Sequence, residues 1–282
     1  MKGSENSATG FASVSVMIFT MNEEVNITRC LDSVTWSEDI IVIDSGSTDR
    51  TLEFTARPNV RVYENKFEGF GKQRNWALDN TSPKYTWVLI LDADERVTPE
   101  LADEIRQKTD AADSNTAAFK VRRRFFMWGR WLRFSNLYPT WVVRLIHRNR
   151  VRYLNRGHGE TQEVDGIILD LKHDLIDENH KGIDAWFERH NLYATQDALL
   201  ELGQSGSSIG VNKIISSDPL QRRAALKRII ANLPARPVWY FLYSYILRGG
   251  FLEGRDGLTF CSMRALYQGM VSVKKYDLKK RR

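Results

Sequence analysis

The segment VLILDADERV, residues 88–97, runs from an apolar stretch directly into closely spaced carboxylates. Asp92 and Asp94 stand two residues apart, and Glu95 follows them. Carboxylate oxygens are the ligands that hard divalent cations prefer, and Mg²⁺ in particular keeps phosphate oxygens in its coordination shell. The segment therefore predicts a Mg²⁺ or Mn²⁺ site at the end of a buried strand, next to a phosphorylated ligand.

Two other interpretations of Asp92 and Asp94 compete with a metal site. Aspartyl-phosphate phosphatases of the haloacid dehalogenase type have Thr or Val two residues after the second Asp and carry the pair on their first strand. Arg96 stands at that position here, and the strand is the fourth along the chain, which disfavours a phosphatase. The pair could instead form an acidic turn that caps the next helix. Thr98 already supplies a cap, which weakens this alternative and leaves it open.

The ends of two other predicted strands carry polar side chains as well. SVMIFTMNEE ends the first strand with Thr20, Asn22 and Glu23. DIIVIDSGSTDRT ends the second strand with Asp44 and a polar turn. Three strand ends therefore place polar groups at one edge of the predicted sheet.

A diphosphate at this edge would need cationic partners. No GxGxxG motif follows the first strand, so backbone amides are not expected to cradle a dinucleotide. A metal ion on Asp94, assisted by Lys72 or Arg74 of FGKQRNWAL, would supply the missing positive charge. Alternatively, Lys72 and Arg74 could be solvent-exposed charges on the surface of a helix.

These side chains require a sheet whose strands end at one edge. The strand candidates before residue 110 are SVSVMIF, DIIVIDS, NVRVYEN and YTWVLILD. The first, second and fourth are almost continuously apolar, which is typical of strands buried on both faces of a parallel sheet. Helical segments alternate with them, one capped by Asn22 and one started by Thr98-Pro99. The alternation predicts an α/β, doubly wound sheet, in which ligands bind beyond the carboxyl ends of the strands.

The pattern changes after Ala117. Longer amphipathic segments rich in Arg and aromatic residues predict antiparallel or mixed strands: FKVRRRFFMWGRWLRF, WVVRLIHRNRVRYL and GIILDLKHDLI. Residues 180–204 predict an amphipathic helix, and the chain beyond Pro219 predicts further helices. The predicted breaks between these helices lie near Pro234, Pro237 and Gly249-Gly250.

Composition limits the class of protein. The chain has 282 residues, of which 42% are hydrophobic and 11% aromatic, enough for the core of a globular protein. Cys30 and Cys261 lie far apart in apolar patterns, which gives no support for a disulfide framework and favours a reducing compartment. Neither a secretory signal nor an apolar run of about 18 residues is found, so we expect a soluble or peripheral protein.

The net charge of +6 is concentrated near the carboxyl terminus. Residues 221–282 hold 14 Lys or Arg and 3 Asp or Glu, a balance of +11, so the preceding residues carry −5. RPVWYFLYSYILRGGFLEGRDG and KKYDLKKRR combine apolar and aromatic side chains with cations, which suits an anionic membrane surface. A dimerisation or core-completing helical hairpin remains open. Nucleic acid is not expected, because the basic residues alternate with apolar ones and no recognised motif accompanies them.

VSVMIFTMNEE, IIVIDSGSTDRT, GKQRNWAL and VLILDADE, in this order and spacing, resemble the donor half of inverting family-2 glycosyltransferases with the GT-A fold. The resemblance continues more loosely through YPTWVVRLIHR, GHGE and LKHDLI, as in bacterial enzymes that build lipopolysaccharide core or exopolysaccharide. It implies a GT-A type nucleotide-binding mixed sheet over residues 13–180, with donor half 13–110 and acceptor half 111–180. Residues 181–282 would form a helical, basic, membrane-associating extension.

The resemblance implies a site for a nucleotide sugar at the strand ends. Its base and ribose would be lined by Phe19, Thr20, Glu23 and Asp44. Capping and turn formation are the alternative roles of these residues. Many relatives have an aromatic residue at the position of Met21 and a second Asp at the position of Ser45. These departures leave the nucleotide open, with UDP expected from the family.

The resemblance also assigns the residues that face the diphosphate. Asp92 is expected near the ribose or the metal, and Asp94 is expected to bind Mg²⁺ or Mn²⁺ directly. One of Lys72 and Arg74 would contact phosphate. The metal would stabilise the charge that develops on the departing nucleoside diphosphate.

Inversion requires a carboxylate that takes the proton of the acceptor hydroxyl, and it must come from the acceptor half. We choose Glu160 of RGHGETQEV, because it follows a predicted strand, lies near glycines and matches the position of a His-Glu or Glu-Asp element in similar enzymes. Glu163 and Asp165 are its alternatives. His158 and His173 could complete the metal shell, although an isolated histidine is more often structural.

Aromatic and arginine side chains of the acceptor half could bind the acceptor. Aromatic faces suit sugar rings, and Arg suits acidic or phosphorylated groups. Core packing is the alternative role of the aromatic residues. The candidates are Trp128, Trp131, Tyr138 and Trp141, with Arg122, Arg123, Arg124, Arg130 and Arg133.

The resemblance predicts a hexosyltransferase-like enzyme that moves a sugar from a nucleoside-diphosphate sugar to a lipid-linked or cell-envelope glycan. The basic tail places it in the cytoplasm, peripheral at the inner face of the cell membrane. A sugar-nucleotide nucleotidyltransferase is an alternative, but it usually has a Gly-rich loop with Arg or Lys after the first strand, which is absent. A non-catalytic membrane-surface adaptor on the same fold is a further alternative.

Overall fold

The structure, a computed structural model, describes residues 13–156, 159–203 and 235–281. The chain divides into two units. The first unit comprises Met1–Arg124, Thr140–Leu154 and Thr161–His180, and the second comprises Phe125–Pro139, Asn155–Glu160 and Lys181–Arg282.

The described strands are β1 Val14–Thr20, β2 Ile40–Asp44, β3 Val60–Glu64, β4 Trp87–Asp92, β5 Glu95–Arg96, β6 Thr116–Met127, β7 Arg130–Trp131, β8 Thr140–His147, β9 Val151–Arg156, β10 Gly159–Val164 and β11 Ile167–Glu178. The described α-helices are α1 Ile27–Asp32, α2 Thr51–Thr55, α3 Phe70–Asn80, α4 Pro99–Asp110, α5 Gly182–Gly203, α6 Arg236–Leu242 and α7 Gly254–Lys280.

The first unit contains a parallel layer of strands in the order β3-β2-β1-β4. All four strands predicted before residue 110 are confirmed. β1 and β2 are buried almost throughout, as their continuous apolar sequences predict. Alternate residues of β1 enter two different cores, since Val16 packs with α1 and α4 whereas Met17 packs with α3. Helices therefore cover both faces of this layer.

Antiparallel strands extend the same sheet. β8 pairs antiparallel with β4 and with β6, and the described order continues β4-β8-β6-β11-β5. The mixed strands predicted after Ala117 are confirmed, and so is the predicted α/β class, a mixed sheet followed by helices. β9 and β10 form a separate two-stranded sheet.

The two predicted helix starts have different outcomes. Thr98 caps α4 as predicted, because its hydroxyl accepts a hydrogen bond from the backbone N–H of Leu101 at 3.2 Å. The prediction that Asn22 caps the first helix is wrong, since α1 begins at Ile27 and its cap position is Asn26. Asn22 has a left-handed φ of 54°, and its side-chain oxygen accepts from the backbone N–H of Thr48 at 2.7 Å. Asn22 therefore links the loop after β1 to the loop after β2.

Helices dominate the described part of the second unit. The helix predicted over residues 180–204 is confirmed as α5, which packs Trp186 and Ala194 with Met263 and Tyr267 of α7. Of the helices predicted beyond Pro219, those in the described residues from 235 on are confirmed as α6 and α7, and residues 220–234 lie outside the described ranges. Pro237 lies in the first turn of α6, where its missing N–H costs no helical hydrogen bond. Pro234 lies outside the described residues.

Between α6 and α7 the chain reverses direction. A π-helical turn, Tyr243–Leu247, and a 3₁₀ turn, Gly250–Glu253, are separated by Gly249, whose φ of 80° is unfavourable for residues with a side chain. The predicted break at Gly249-Gly250 is confirmed. None of the helices in the described ranges is long and apolar enough to span a membrane.

Candidate active site

Three parallel strands end in a row at one edge of the sheet. In the register of the central strand β1, Thr20 lies beside Asp44 of β2, and Phe19 lies beside Asp92 of β4. The carboxyl ends of parallel strands are where ligands bind in α/β sheets. The structure therefore brings Phe19, Thr20, Asp44 and Asp92 together, as their positions in the sequence predict.

The Asp44 carboxylate organises the loop that follows β2. It accepts hydrogen bonds from the backbone N–H groups of Gly46 at 2.9 Å and Ser47 at 2.7 Å, and from the Ser47 hydroxyl at 2.5 Å. Asp44 is fully buried. The alternative role of Asp44, formation of a turn, is therefore observed in the structure. A carboxylate has about four lone-pair positions, so a further donor from a ligand can still be accepted.

Thr20 ends β1 with a buried hydroxyl that has no hydrogen-bond partner among the described residues. A buried hydroxyl without a partner loses its hydration without compensation. A ligand that bonds to Thr20 would remove this cost. The neighbouring Phe19 ring lies 5.4 Å from the guanidinium of Arg74, which fixes the position of the ring.

Glu23 lies in the connection between β1 and α1. Its backbone N–H donates to the hydroxyl of Thr51 at 2.7 Å, and its carboxylate accepts from the Asn26 side chain at 2.7 Å. Its carbonyl oxygen also accepts from the backbone N–H of Ile27 at 2.8 Å, at the start of α1. These contacts support the capping alternative for Glu23.

Asp92 is held between two buried arginines. Arg74 of α3 donates to one carboxylate oxygen at 3.1 Å, and Arg144 of β8 donates to the other at 2.6 Å. Burial alone would raise the pKa of Asp92, but Arg144 and Arg74 outweigh it and hold this pKa well below its ordinary value. Asp92 is therefore an anion whose oxygens both point at arginine.

Arg144 also binds the next carboxylate along the chain. It donates to Glu95 at 2.5 Å, and the second oxygen of Glu95 accepts from the backbone N–H of Asp92 at 3.0 Å. Glu95 is fully buried, and this burial raises its pKa above the ordinary value. The sequence assigned no role to Arg144 or Glu95. Their contact closes the turn between β4 and β5.

A third arginine extends this buried network. Arg123 of β6 lies 3.1 Å from Asp177 of β11 and 3.7 Å from Glu95. Burial raises the pKa of Asp177 to about 7, although Arg123 opposes the increase. We call Arg74, Arg123, Arg144, Asp92, Glu95 and Asp177 the arginine network. Strands far apart in sequence contribute to it, which fixes the loop that carries Asp94.

Asp94 is half-buried in the turn between β4 and β5. Asn179, just after β11, donates to its carboxylate at 2.8 Å, and Glu178 donates its backbone N–H to the Asp94 carbonyl oxygen at 2.9 Å. His180 follows, and its backbone N–H donates to the Asn26 side chain at 3.0 Å. Asn179 and His180 thus lie in the segment next to Asp94. Neither residue was predicted from the sequence to belong to the site.

The side chains around Asp94 suit a hard cation that is held mainly by the phosphate oxygens of a bound substrate. No group of three or more His, Cys, Asp or Glu in the described residues is arranged to hold a metal. Mg²⁺ at phosphate sites commonly uses one or two protein carboxylates, with phosphate and water oxygens completing its shell. Asp94 can serve as such a carboxylate, whereas both oxygens of Asp92 already face arginine.

Lys72 and Arg74 occupy different environments on α3. Arg74 is buried, and besides Asp92 it lies 5.5 Å from the ring of Tyr153. Lys72 is exposed and pairs with Glu68 at 3.2 Å. An exposed pair of this kind contributes little to stability. Arg74 is therefore the residue of the two that the structure places beside the strand ends.

The carboxylates proposed as catalytic base lie on or near β10. Glu160 is half-buried on this strand, whereas Glu163 and Asp165 are exposed. His158 lies outside the described residues. His173 pairs with Glu104 of α4 at 2.9 Å, and Glu104 also accepts its backbone N–H, so His173 is engaged in packing β11 against α4.

Several candidates for acceptor binding have structural contacts. Arg122 and Arg124 both donate to the buried Asp174, at 2.7 Å and 2.6 Å. Trp141 is partly exposed, and Arg122 lies 5.6 Å from its ring. In the second unit, Trp131 and Tyr138 pack edge to face at 5.1 Å, and Arg133 stacks on Trp131. Trp128 is half-exposed in the turn after β6.

A cavity of about 360 Å³ lies away from these strand ends. Its lining includes Trp87, His147 and Arg150. Trp87 begins β4, whereas Asp92 ends this strand. The cavity is therefore at the opposite end of the strand from the row of polar side chains.

Comparison with known proteins places the chain in a family. The model of Glycosyl transferase family 2 matches residues 15–168. The lipopolysaccharide core biosynthesis glycosyltransferase LpsC of Rhizobium meliloti is 25% identical over 271 residues, which cover 94% of this chain and 92% of that protein. An uncharacterized glycosyltransferase of Rickettsia typhi is 23% identical over 262 residues, covering 87% and 80%.

Solved structures with similar folds include S. aureus TarS in complex with UDP-GlcNAc, with a TM-score of 0.43, 16% identity and coverage of 95% of this chain and 91% of that chain. Glucosyl-3-phosphoglycerate synthase from Mycobacterium tuberculosis, in complex with Mn²⁺, UDP and phosphoglyceric acid, has a TM-score of 0.45, 17% identity and coverage of 69% and 79%. The family model spans more than half of the 282 residues. The chain therefore belongs to glycosyl transferase family 2 and is a glycosyltransferase.

Proposed function

We propose that the chain is an inverting, metal-dependent transferase that moves a sugar from a nucleoside-diphosphate sugar to a lipid-linked or cell-envelope glycan. The main observation that supports this proposal is the row of strand ends, in which Thr20, Asp44 and Asp92 lie on adjacent strands. Asp94 lies two residues beyond Asp92, in the turn that the arginine network holds. UDP is the nucleotide expected from the family resemblance.

The nucleoside would bind along the ends of β1 and β2. The unpartnered hydroxyl of Thr20 supplies a donor and acceptor, and Asp44 retains acceptor capacity beside it. Phe19 supports the site through its stacking on Arg74. Asp92 acts as the anion that aligns Arg74 and Arg144, and its position fixes the turn that presents Asp94.

Asp94 would hold Mg²⁺ or Mn²⁺ together with the diphosphate oxygens. When bound, the metal supplies Lewis-acid stabilisation of the leaving diphosphate. Asn179 orients the Asp94 carboxylate by donating to one of its oxygens at 2.8 Å. A protonating acid for the leaving group is then not required.

The transfer itself would be a single displacement. Glu160 takes the proton of the acceptor hydroxyl while the hydroxyl oxygen forms a bond to the anomeric carbon. The bond between this carbon and the diphosphate oxygen breaks, and its electron pair leaves with the nucleoside diphosphate. Attack on the face opposite the leaving group inverts the anomeric configuration.

The acceptor assignment rests on similarity and on surface chemistry. LpsC, named for lipopolysaccharide core biosynthesis, is similar over 94% of this chain. Aromatic and arginine side chains such as Trp128 and Arg133 suit the sugar rings and anionic groups of an envelope glycan. We propose action as a peripheral protein at the cytoplasmic face of the membrane, where the basic tail would contact anionic lipid.

Nucleotide binding and donor hydrolysis test this function. The full chain is mixed with a panel of UDP-sugars and Mn²⁺, released UDP is measured, and UDP binding is measured by calorimetry with and without Mn²⁺. Asp94→Asn should lower the Mn²⁺-dependent affinity and UDP release about 100-fold. Asp103→Asn, an exposed carboxylate of α4, is the matched control and should behave as wild type.

Three results would contradict the proposal. A wild-type chain that binds no nucleoside diphosphate with any divalent metal would remove the nucleotide-sugar donor. Equal activity of Asp94→Asn and Asp103→Asn would remove the metal site from Asp94. Retention of anomeric configuration in the product would contradict the single displacement.

A further inference from the structure

Large apolar side chains are exposed at the chain reversal between α6 and α7. We define the apolar turn as Ile246, Leu247, Phe251 and Leu252, which are 53%, 78%, 51% and 58% exposed. A single exposed leucine is ordinary on a protein surface, but four large apolar side chains within seven residues form a contiguous patch. Such patches mark sites of association with a partner or a membrane.

The apolar turn is held in shape by contacts within the second unit. Phe241 stacks on Tyr245 at 5.1 Å, and Tyr245 meets the ring of Phe251 edge to face at 6.4 Å. Glu253 is buried and accepts backbone N–H groups from Phe134 at 2.7 Å and Ser135 at 3.0 Å. These contacts fix the backbone on both sides of Gly249. The apolar side chains are therefore presented by a preformed surface.

The charges around the apolar turn favour an anionic partner. Both described carboxylates of this region, Glu253 and Asp256, are engaged, the first with backbone amides and the second with Arg130 at 3.5 Å. Arg255 is exposed, and Arg248 lies at the reversal itself, where it donates to the Tyr138 carbonyl at 3.3 Å. Positive charge thus borders the patch, while Glu253 is buried and the partly exposed Asp256 is paired with an arginine. Apolar side chains with a cationic rim suit the interface of an anionic lipid leaflet.

We infer that the apolar turn inserts into the headgroup region of an anionic membrane and anchors the enzyme there. This inference rests on the proposed function, because a lipid-linked acceptor must be reached at a membrane surface. A stable contact with a second copy would bury about 800 Å² on each partner, whereas four half-exposed side chains offer a few hundred Å² of apolar surface. The apolar turn is large enough for shallow insertion and small for a dimer interface.

Vesicle sedimentation of the full chain tests the inference. The vesicles contain phosphatidylcholine alone or equal amounts of phosphatidylcholine and phosphatidylglycerol. The double variant Leu247→Glu, Leu252→Glu should lose binding to the anionic vesicles by about tenfold or more. The control variant Leu192→Glu, Leu199→Glu adds the same charge to α5 at positions 65% and 47% exposed, and should bind as wild type. Wild-type binding should also be weaker on pure phosphatidylcholine.

The outcomes separate membrane binding from the proposed function. Equal vesicle binding of the two double variants would overturn the inference. A second result would also overturn it: a wild-type chain that is a dimer in sedimentation velocity, with only the variant Leu247→Glu, Leu252→Glu being monomeric. The apolar turn would then be an interface with a second copy of the chain. UDP binding with Mn²⁺, measured in solution, should be unchanged in the turn variant. Vesicle binding by a chain that binds no nucleotide would refute the donor assignment and leave the membrane contact standing.

Discussion

Arg144 donates to Asp92 at 2.6 Å and to Glu95 at 2.5 Å, so one buried guanidinium joins the end of β4 to the start of β5. Asp94 lies between these two carboxylates in sequence. The position of the proposed metal ligand therefore depends on an arginine that comes from β8, 52 residues away from Asp92. This relationship links the stability of the sheet to the geometry of the site.

Removal of Arg144 should destabilise the protein strongly. Arg144→Met leaves the buried Glu95 and the partly exposed Asp92 with fewer cationic partners, and breaking a buried ion pair such as Arg144–Glu95 typically costs about 3–5 kcal/mol. The free energy of unfolding in urea measures the loss. Arg50→Met, which breaks an exposed pair with Glu53, is the control and should unfold nearly as wild type. A similarly small effect for Arg144→Met would show that the arginine network is not needed for stability.

Asp177 should make the protein less stable as the pH rises towards neutrality. Burial raises its pKa from 3.8 to about 7, so the folded chain retains a proton that the unfolded chain releases. The contribution is fully present below pH 3.8 and is lost as the pH rises through about 7. Its size is on the order of 2–4 kcal/mol.

Urea unfolding at several pH values, from acidic to mildly alkaline, measures this dependence. Asp177→Asn removes the titrating group, so the variant should lose less stability than wild type over the same interval. Asp170→Asn, an exposed carboxylate of β11, is the control and should follow the wild-type curve. Parallel curves for wild type and Asp177→Asn would show that Asp177 has an ordinary pKa.

The sequence predicted the parallel layer because its strands are continuous apolar runs that are buried on both faces. It predicted the start of α4 because Thr98-Pro99 is a local capping signal. The row formed by Thr20, Asp44 and Asp92 was also predictable, since each residue is the first polar one after an apolar strand. Features that depend on neighbouring residues could thus be predicted from sequence.

The arginine network could not be predicted in the same way. Arg144 lies in WVVRLIHR, where its type and spacing resemble those of Arg148, yet Arg144 is buried against Asp92. Its partners are set by the antiparallel pairing of β8 with β4, which has no local sequence signal. Asn179 likewise reaches Asp94 across 85 residues. Asn22 was misassigned because a tertiary contact with Thr48 replaced the local cap.

Thr20 should matter for nucleotide binding and little for folding. Thr20→Val keeps the shape of the side chain and removes a buried hydroxyl without a described partner, so the melting temperature should be unchanged or slightly raised. The affinity for UDP with Mn²⁺ should fall about fivefold to thirtyfold, through loss of one hydrogen bond of roughly 1–2 kcal/mol.

Thr51→Val provides the matched control for Thr20→Val. The Thr51 hydroxyl is also buried, but it accepts from Glu23 at 2.7 Å and donates to Asp49 at 2.5 Å. Its removal should lower stability by about 1–2 kcal/mol. If Thr20→Val binds UDP as tightly as wild type, the Thr20 hydroxyl does not contact the nucleotide.

Glu160 should control the chemical step without affecting donor binding. Glu160→Gln keeps the size of the side chain and removes its ability to take a proton, so kcat should fall about 10²–10⁴-fold. The affinity for UDP with Mn²⁺ should stay at the wild-type value, because the proposed donor contacts come from other residues. Initial rates of sugar transfer measure the loss of kcat, and calorimetry with Mn²⁺ measures the affinity for UDP.

Glu163→Gln and Asp165→Asn are the controls for Glu160→Gln, since both side chains lie close in sequence and are exposed. A proton acceptor in a transfer reaction must be held in place and shielded from bulk water, which a half-buried side chain on β10 satisfies better than an exposed one. Both controls should therefore transfer sugar at rates within about twofold of wild type. A large loss in either control, with Glu160→Gln active, would assign the base to that residue instead.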